Sequence, residues 1–279
     1  MKALPIKLIV NADDYGYYPC VSRGILQAAA VGSVTATGIL ANGPQLEEQL
    51  AWLSGYEKLD LGIHLNLTSR QPLTANMQDK LMPWQGQFPS VFTMTRAVLS
   101  GQISVKDVRE EWQTQIETVL GFGIKPQFLN SHEHIHMLPP LFNLAKALAK
   151  DYQIPHLRLT RAEWMPPYSS LLRTGLLQIM ESVDALRVNV VTPYFIGLSR
   201  SGKLDLDYLS RRFARLKPGK TYELMCHPGF FDPTEISDSR LLAYHAWEAE
   251  LATLTSPAFQ QLCAESSIRL VNYREQETR

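Results

Sequence analysis

Three histidines at alternating positions form the densest group of potential metal ligands in the chain. His132, His134 and His136 lie in the segment NSHEHIH at 130–136. Extended backbone would place the three rings on one face, whereas helical backbone would make His132 and His136 neighbours at i and i+4. Either geometry allows imidazole nitrogens to reach one metal ion. A lone histidine is more often a hydrogen-bonded core residue, but this clustering favours a metal or catalytic role.

Two adjacent carboxylates, Asp13 and Asp14, follow an apolar run that begins at Ile6. Burying both is costly unless cations or hydrogen-bond donors pair with them. A metal-binding role for one aspartate and a proton-transfer role for the other would explain the pair. The alternative is that one of them simply caps the next helix.

Three further polar residues in or after predicted strands could complete such a site. His64 would add to Asp14 and His132 a two-His-one-Asp set that holds a divalent ion and leaves positions open for water and substrate. His227 precedes a Pro-Gly turn and could donate a proton to a leaving amine, or only order the turn. Arg158 could pair with a site carboxylate, bind an oxyanion or form a structural ion pair.

Two asparagines, Asn66 and Asn130, are candidates for hydrogen bonds that support the ligands. His134, His136 and Arg158 are candidates for the same supporting role or for substrate binding. His156 and His245 are predicted to be structural or surface residues. Five of the seven histidines are thus candidates for the site.

These side chains can meet only if the elements that carry them end at the same edge of a sheet. Apolar, β-branched runs predict strands, and amphipathic runs between them predict helices. The predicted strands are 6–10, 34–41, 59–67, 128–129, 156–159, 187–191, 222–226 and 268–271, and the predicted helices are 21–31, 45–53, 105–120 and 141–150.

Strands that alternate with helices indicate parallel βαβ units. About eight strands over 279 residues predict an α/β fold with a parallel (β/α) barrel, TIM-barrel-like and open to distortion, whose site lies at the carboxyl ends of the strands. A doubly wound open sheet is the alternative. One catalytic domain is expected over 1–279, with loop insertions near 69–91 and 162–185.

Composition gives no reason to expect a nucleic acid or membrane partner, although a local basic patch stays open. Lys+Arg and Asp+Glu both number 27, so the net charge is zero and gives no reason to expect nucleic acid or an anionic membrane. The three cysteines form no CxxC pair, which favours a reducing compartment.

With no predicted membrane span or secretory segment, the expected location is the cytoplasm. A small-molecule substrate is the expected partner, and a homodimer is compatible with the sequence.

Four segments resemble the signatures of the YdjC-like carbohydrate deacetylases, a family that includes chitooligosaccharide deacetylases acting on N-acetylglucosamine oligomers. They are NADDYG at 11–16, GIHLNLT at 62–68, NSHEHIH at 130–136 and LMCHPG at 224–229. The segments occur in the family's order. The resemblance implies a barrel-like α/β fold and one divalent metal ion, magnesium or zinc.

The resemblance also implies a role for each matched side chain. Asp14, His64 and His132 would be the metal ligands. Asp13 would be the base that activates the water held by the metal, and His227 would be the acid on the opposite side. Two residues depart from the family pattern, which usually has Phe at position 15 and Asp at position 130. Asn130 removes a negative charge beside the histidine cluster, which would alter histidine orientation or metal preference.

The implied reaction is hydrolysis of the acetamide of an N-acetylated sugar or oligosaccharide. Trp84, Phe88, Trp164 and Tyr168 lie in predicted loops and could stack on sugar rings or only pin the loops. The same metal ligands would also serve a hydrolase of non-sugar amides or of phosphoesters, although no Gly-rich phosphate loop is evident. A non-catalytic sugar-binding protein is the alternative from a different class.

Overall fold

The computed structural model describes residues 4–163 and 192–276. Within these ranges, parallel strands alternate with helices along the chain. The strands are β1 (Ile6–Tyr15), β2 (Ala36–Ile39), β3 (Asp60–Leu65), β4 (Phe128–Ser131), β5 (His156–Leu157), β6 (Tyr194–Ile196), β7 (Thr221–Cys226) and β8 (Ile268–Leu270). None of the helices in these ranges has the length and apolar character that a membrane span requires.

Ten α-helices accompany these strands in the described part of the chain. They are α1 (Pro19–Ala30), α2 (Leu46–Ala51), α3 (Ala75–Lys80), α4 (Val91–Leu99), α5 (Val105–Gly121), α6 (Pro139–Asp151), α7 (Leu206–Phe213), α8 (Ser239–Tyr244), α9 (Trp247–Thr255) and α10 (Pro257–Glu265). The main hydrophobic core packs helices of this set against the sheet.

The strands form one parallel sheet in the order β5-β4-β3-β2-β1-β7-β6, and β8 adds to β1. β1 is the central element, because it pairs with three other strands. β7 pairs with it from Lys7 to Ala12, β8 pairs with Ile6 to Leu8, and β2 pairs with it from Asn11 onward. The carboxyl end of β1 therefore lies in the middle of the edge where the site is expected.

The sheet curls on itself, as contacts between its distant strands show. Arg158 follows β5 directly, yet its side chain contacts Asp13 of β1 and Glu223 of β7. β5 and β1 are four strands apart in the sheet order, which in a flat sheet would separate them by about 19 Å. The parallel (β/α) barrel is thus confirmed in a distorted form, and a flat doubly wound sheet is excluded. Within the described ranges, β5 and β6 do not pair with each other.

The inner face of β1 changes from apolar to charged toward its carboxyl end. Ile9, Asn11 and Asp13 share this face because side chains alternate along a strand. Ile9 belongs to a small apolar cluster with Phe128 and Tyr273. Asn11 instead donates from Nδ2 to a Glu223 carboxylate oxygen at 3.2 Å and to the Tyr273 hydroxyl at 3.1 Å. The apolar cluster therefore lies below a polar layer, and the polar layer lies below the site.

Seven of the eight observed strands coincide with predicted ones. β6 was not predicted, since it is only three residues long and follows Pro193. The predicted strand 187–191 lies outside the described residues, as does most of the predicted insertion near 162–185. The segment 69–91, predicted as a loop, contains α3, whose N-cap Thr74 accepts a hydrogen bond from the backbone of Met77.

The buried carboxylate of Glu111 on α5 anchors the chain between β3 and α3. It accepts hydrogen bonds from the backbone N–H groups of Leu73 and Thr74, from the Thr74 hydroxyl and from the Gln115 amide. Gln115 in turn exchanges two hydrogen bonds with the backbone of Asn66. This arrangement holds the segment that follows His64 against α5.

We expect Glu111→Ala to lower the free energy of unfolding by about 3 kcal/mol, because it leaves several buried donors without an acceptor. Urea denaturation measures the change. The matched control is Glu110→Ala on the same helix, which removes one exposed hydrogen bond from Asn76 and should change stability by about 0.5 kcal/mol or less. Equal effects of the two substitutions would contradict the anchoring role of Glu111.

Candidate functional site

A bulge at the end of β1 turns two adjacent carboxylates into one cavity. In a regular strand, Asp13 and Asp14 would point to opposite faces of the sheet. Between Ala12 and Tyr15, however, β1 advances by three residues while its partner β2 advances by two. Asp14 takes a φ of 74°, in the left-handed region, which places the extra residue. Neither aspartate caps α1, whose N-cap residue is Tyr18, so the capping alternative is wrong.

Asp14 lies between two imidazoles. Its Oδ1 is 2.8 Å from Nδ1 of His132 and 3.2 Å from Nε2 of His64. One possible ligand atom from each of the three residues lies within 4.8 Å of the other two, and all three residues are buried. Burial alone would raise the pKa of Asp14, but the two histidines hold it well below its usual range. Two imidazole nitrogens and one carboxylate oxygen at this spacing are a donor set that fits a divalent cation.

Strand pairing sets the position of His64. It lies directly opposite Asn130 in the register of β3 and β4, and its Nδ1 is 2.7 Å from the Asn130 amide oxygen. The amide nitrogen of Asn130 donates to Asp13 Oδ1 at 2.9 Å. Gly38 on β2 leaves room for this pair, because a Cβ there would lie 3.1 Å from the Asn130 amide oxygen and 3.2 Å from Cβ of His64.

Asp13 forms a buried, two-pronged ion pair with Arg158. Nη1 of Arg158 donates to one carboxylate oxygen at 2.6 Å and Nη2 to the other at 2.9 Å, while Nε donates to Glu223 at 2.6 Å. Burial raises the pKa of Asp13, but the charge of Arg158 and the nearby histidines more than offset this and lower it. Of the alternatives that the sequence left open, the structure therefore shows Arg158 paired with a carboxylate of the site.

His227 follows β7 and lies on the side of β1 away from β2, β3 and β4. Its backbone N–H donates to the buried carboxylate of Glu250 at 2.6 Å. Its Nδ1 is buried without a hydrogen-bond partner in the described part of the chain, so Nε2 is the ring nitrogen that can face the cavity.

His245 is a cavity residue that the sequence analysis missed. Its ring stacks on Trp247 with centroids 4.7 Å apart and meets the ring of His227 edge-on at 5.0 Å. Burial, aided by the neighbouring His227, lowers the pKa of His245 to about 3. No local motif marks this residue, since the connection between α8 and α9 brings it to the cavity.

The three clustered histidines do not share one face. Both geometries expected from the sequence are wrong, because the segment is a short 3-10 turn in which Glu133 has φ 50° and His134 has φ 57°. These left-handed residues rotate successive side chains in different directions. Of these three histidines, only His132 reaches Asp14. The ring of His136 points away from both of those residues.

His136 instead connects the ends of β4 and β5. Its Nε2 is 3.0 Å from the backbone carbonyl of Arg158, which can only accept, so Nε2 carries the proton. Nδ1 then accepts from the Ser131 hydroxyl at 2.6 Å. Burial lowers the pKa of His136 to about 3, so the ring stays neutral and holds Arg158 in place. His134 borders the cavity, with Nδ1 3.2 Å from the Thr160 hydroxyl.

Asn66 does not contact the three-residue metal candidate. Its amide nitrogen donates to Asn42 at 2.9 Å and to the carbonyl of Ser69 at 2.7 Å, and its amide oxygen accepts from Thr68. The side chain therefore shapes the loop after β3.

One cavity of about 510 Å³ is lined by six of the ten candidate site residues. Its lining includes Asp13, Asp14, His64, His132 and His227. The aromatic residues Trp84 and Phe88 line it as well, together with Tyr17 and Tyr244, which the sequence analysis did not single out. Trp164 and Tyr168 lie outside the described residues.

Comparison with known proteins gives consistent matches over almost the whole chain. The profile of a family described as YdjC-like protein matches residues 7–265. The chain is 31% identical to a carbohydrate deacetylase of Geobacillus stearothermophilus, with 98% of each chain covered. It is also 31% identical to a chitooligosaccharide deacetylase of Serratia marcescens, with 96% of this chain and 98% of that one covered.

A solved structure supports the same fold. The crystal structure of a candidate cellobiose-phosphate cleavage protein from Enterococcus faecalis V583 has a TM-score of 0.75 and 25% identity, covering 98% of this chain and 99% of that one. The distorted barrel is thus shared over the full length of a relative.

We expect Arg158→Met to lower the free energy of unfolding by about 3–5 kcal/mol at neutral pH, because Asp13 and Glu223 lose their buried cation. In the wild type, the lowered pKa of Asp13 makes its stabilising contribution complete at neutral pH and lost only as pH falls through that pKa. In the variant, burial is no longer offset, so the pKa of Asp13 rises and protonation relieves the unpaired charge. The difference between the variant and the wild type in free energy of unfolding should therefore become smaller as the pH falls toward about 4.

Denaturation in urea across this pH range measures the effect. The matched control is Arg109→Met, which breaks an exposed pair with Asp151 of 3.3 Å and should change stability by about 1 kcal/mol or less. A deficit of Arg158→Met that stays constant from neutral to acidic pH would contradict the electrostatic origin.

Proposed function

The chain belongs to the YdjC-like family, and on that premise we propose that it is a metal-dependent hydrolase that removes the acetyl group from an N-acetylated sugar or oligosaccharide. One observation carries the proposal. A single cavity is lined by the two-His-one-Asp group, by the ionised carboxylate of Asp13 and by the imidazole of His227. Relatives named as a carbohydrate deacetylase and a chitooligosaccharide deacetylase match nearly the whole chain, which supports the same chemistry.

The proposed metal ligands are Asp14, His64 and His132. Their ligand atoms are close enough to share one ion, and all are buried beside the cavity. A divalent ion held there would act as a Lewis acid that polarises a carbonyl group and makes a water molecule more acidic. Magnesium and zinc are the proposed ions, and the two imidazole donors favour zinc.

The proposed base is Asp13. Its ion pair with Arg158 keeps the carboxylate ionised near neutral pH. A carboxylate must be ionised before it can accept a proton as a general base. Arg158 and Asn130 also fix its orientation, because together they hold both carboxylate oxygens. In the proposed reaction, Asp13 takes a proton from the water that attacks the acetamide carbonyl.

The proposed acid is His227, whose ring lies across β1 from His64 and His132. A substrate carbonyl near those ligands would present its amide nitrogen toward the other wall of the cavity. His227 would then give a proton to the departing sugar amine as the carbon–nitrogen bond breaks. Trp84 and Tyr244 at the cavity wall are proposed to stack on sugar rings.

We further propose one catalytic domain that works in the cytoplasm. All three cysteines are free and buried, which suits a reducing compartment.

The experiment that tests the function is an acetate-release screen on N-acetylated mono- and oligosaccharides, after chelation and addition of single divalent ions. We expect release that requires added metal, and Asp13→Asn should lower it by about 10²–10⁴-fold while the protein still binds metal. Phosphate release from phosphoesters in place of acetate release would favour the rival hydrolase. Sugar binding by calorimetry without any hydrolysis would favour a binding protein.

We expect His64→Ala to lower the content of bound zinc measured by elemental analysis after dialysis, because one of three proposed ligands is removed. The matched control is His156→Ala, since the ring of that histidine packs at a tilt against Tyr273 and is not part of the proposed metal site. Zinc content equal to the wild type in His64→Ala would refute its role as a ligand.

A further inference from the structure

We infer that His245 is a positioning residue that holds the ring of the proposed acid, His227, in the orientation from which it protonates the leaving amine. The inference rests on the proposed function for the role of His227. Its geometric basis is that one short segment, 245–250, contacts both the ring and the backbone of that residue.

The ring of His227 lacks the hydrogen bond that usually orients a functional histidine. Such a ring is normally fixed by a hydrogen bond at the nitrogen that does not face the substrate. Nδ1 of His227 is buried, yet it has no hydrogen-bond partner among the residues that the structure describes. The backbone N–H is bound to Glu250, but that contact leaves rotation about the side-chain bonds free. Packing against neighbouring side chains must therefore set the direction of the ring.

His245 supplies this packing. The centroids of its ring and the His227 ring are 5.0 Å apart, and the two planes cross at 61°, in an edge-to-face arrangement. The ring of His245 is itself stacked on Trp247, with centroids 4.7 Å apart and planes within 13° of each other. Ring pairs in these two geometries attract each other in a preferred orientation. Because Trp247 is buried in the core, the series of three rings connects the proposed acid to the core.

The same segment also fixes the backbone around His227. Glu250 accepts a hydrogen bond from the N–H of His227 at 2.6 Å, and the carbonyl of Trp247 accepts one from Gly229 at 3.3 Å. Gly229 has no side chain that would hold the two segments apart, since a Cβ there would lie 3.1 Å from Cδ1 of Trp247. One element therefore positions both the ring and the backbone of the proposed acid.

The position of His245 is fixed by contacts away from the proposed metal ligands. Its backbone N–H donates to the carbonyl of Leu241 at 2.8 Å, and the N–H of Ala246 donates to the carbonyl of Gly202 at 2.7 Å. These partners follow β6 and β7 in the chain, whereas the proposed ligands lie on β1, on β3 and directly after β4. A substitution of His245 should therefore affect the acid and leave the metal site intact.

The ring of His245 is uncharged, as a neighbour of a proton donor should be. His227 must carry an extra proton before it can donate one, and a second cation beside it would disfavour that state. Burial lowers the pKa of His245 to about 3, so this ring is neutral at neutral pH. Because the inferred role uses only the shape and neutrality of the ring, a phenylalanine at this position should perform it.

The experiment compares His245→Ala and His245→Phe with the wild type, each loaded with zinc and tested for its zinc content. The values of kcat and KM are measured for the N-acetylated sugar that the wild type hydrolyses fastest, and also for nitrophenyl acetate, whose phenolate leaves without taking up a proton. NMR of histidine-labelled protein follows the ring of His227, whose signals are assigned with His227→Ala. Urea denaturation establishes that each variant is folded.

The matched control is His156→Ala. It also removes a half-buried histidine whose ring packs against an aromatic residue, but one that lies on β5. This control should lose stability without losing acetate release.

We expect His245→Ala to lower kcat for the acetamide by about 10–100-fold, because a displaced acid no longer reaches the leaving nitrogen. KM, hydrolysis of nitrophenyl acetate and zinc content should stay near their wild-type values, since none of them needs the acid. The ring signals of His227 should broaden as the ring becomes mobile. His245→Phe should recover most of kcat and the narrow signals.

Wild-type kcat in His245→Ala, with unchanged ring signals of His227, would overturn the inference. A rise in KM alone would also overturn it, because it would assign His245 to sugar binding, and so would equal losses on the amide and the ester. If the wild type releases no acetate from any N-acetylated sugar, the proposed function fails, while the ring signals of His227 still decide whether His245 holds that ring. The two failures are therefore distinguishable.

Discussion

The buried ion pair between Arg158 and Asp13 is the interaction on which both the barrel and its site depend. A guanidinium inside a protein is tolerated only when its donors meet acceptors, and here Asp13 and Glu223 supply them. Because Arg158 follows β5 while its partners lie on β1 and β7, the pair also draws distant parts of the sheet together. The charge that orients the proposed base is thus the same charge that stabilises the curl of the sheet.

Around this pair, each strand end contributes a side chain with a different task. β1 supplies two carboxylates, β3 the imidazole of His64, β4 an amide followed by the imidazole of His132, and the residue after β7 is the third imidazole, His227. The amide of Asn130 joins the group that holds the proton acceptor to the group that would hold a cation. Geometry at one of these positions therefore depends on the others, as expected for a connected network of buried polar groups.

The sequence was sufficient to predict that polar residues at the carboxyl ends of several strands would converge. Polar residues such as Asp13 and His64 stand out against buried apolar runs, and parallel strands bring such positions to one edge. The direction of His134 and His136 was not predictable, because left-handed backbone at Glu133 and His134 is rare in residues other than glycine. Periodicity arguments assume regular backbone and fail where a site departs from it.

His245 shows a second limit of prediction from sequence. It carries no neighbouring motif, and its place beside His227 depends on how two helices near the end of the chain pack. The importance of Asn130 was visible in the sequence only as a departure from a family pattern. Its two hydrogen bonds, to residues 117 and 66 positions away along the chain, appear only once the strands are in register.

Because of the bulge in β1, the backbone geometry determines which partners Asp13 and Asp14 contact. The two side chains are chemically identical and adjacent, yet one meets a guanidinium and the other meets two imidazoles. Deletion of the extra residue in this stretch would restore regular alternation, and adjacent side chains would again point to opposite faces of the sheet. Among relatives, the number of residues in this part of β1 should therefore indicate shared chemistry as strongly as the identity of those residues.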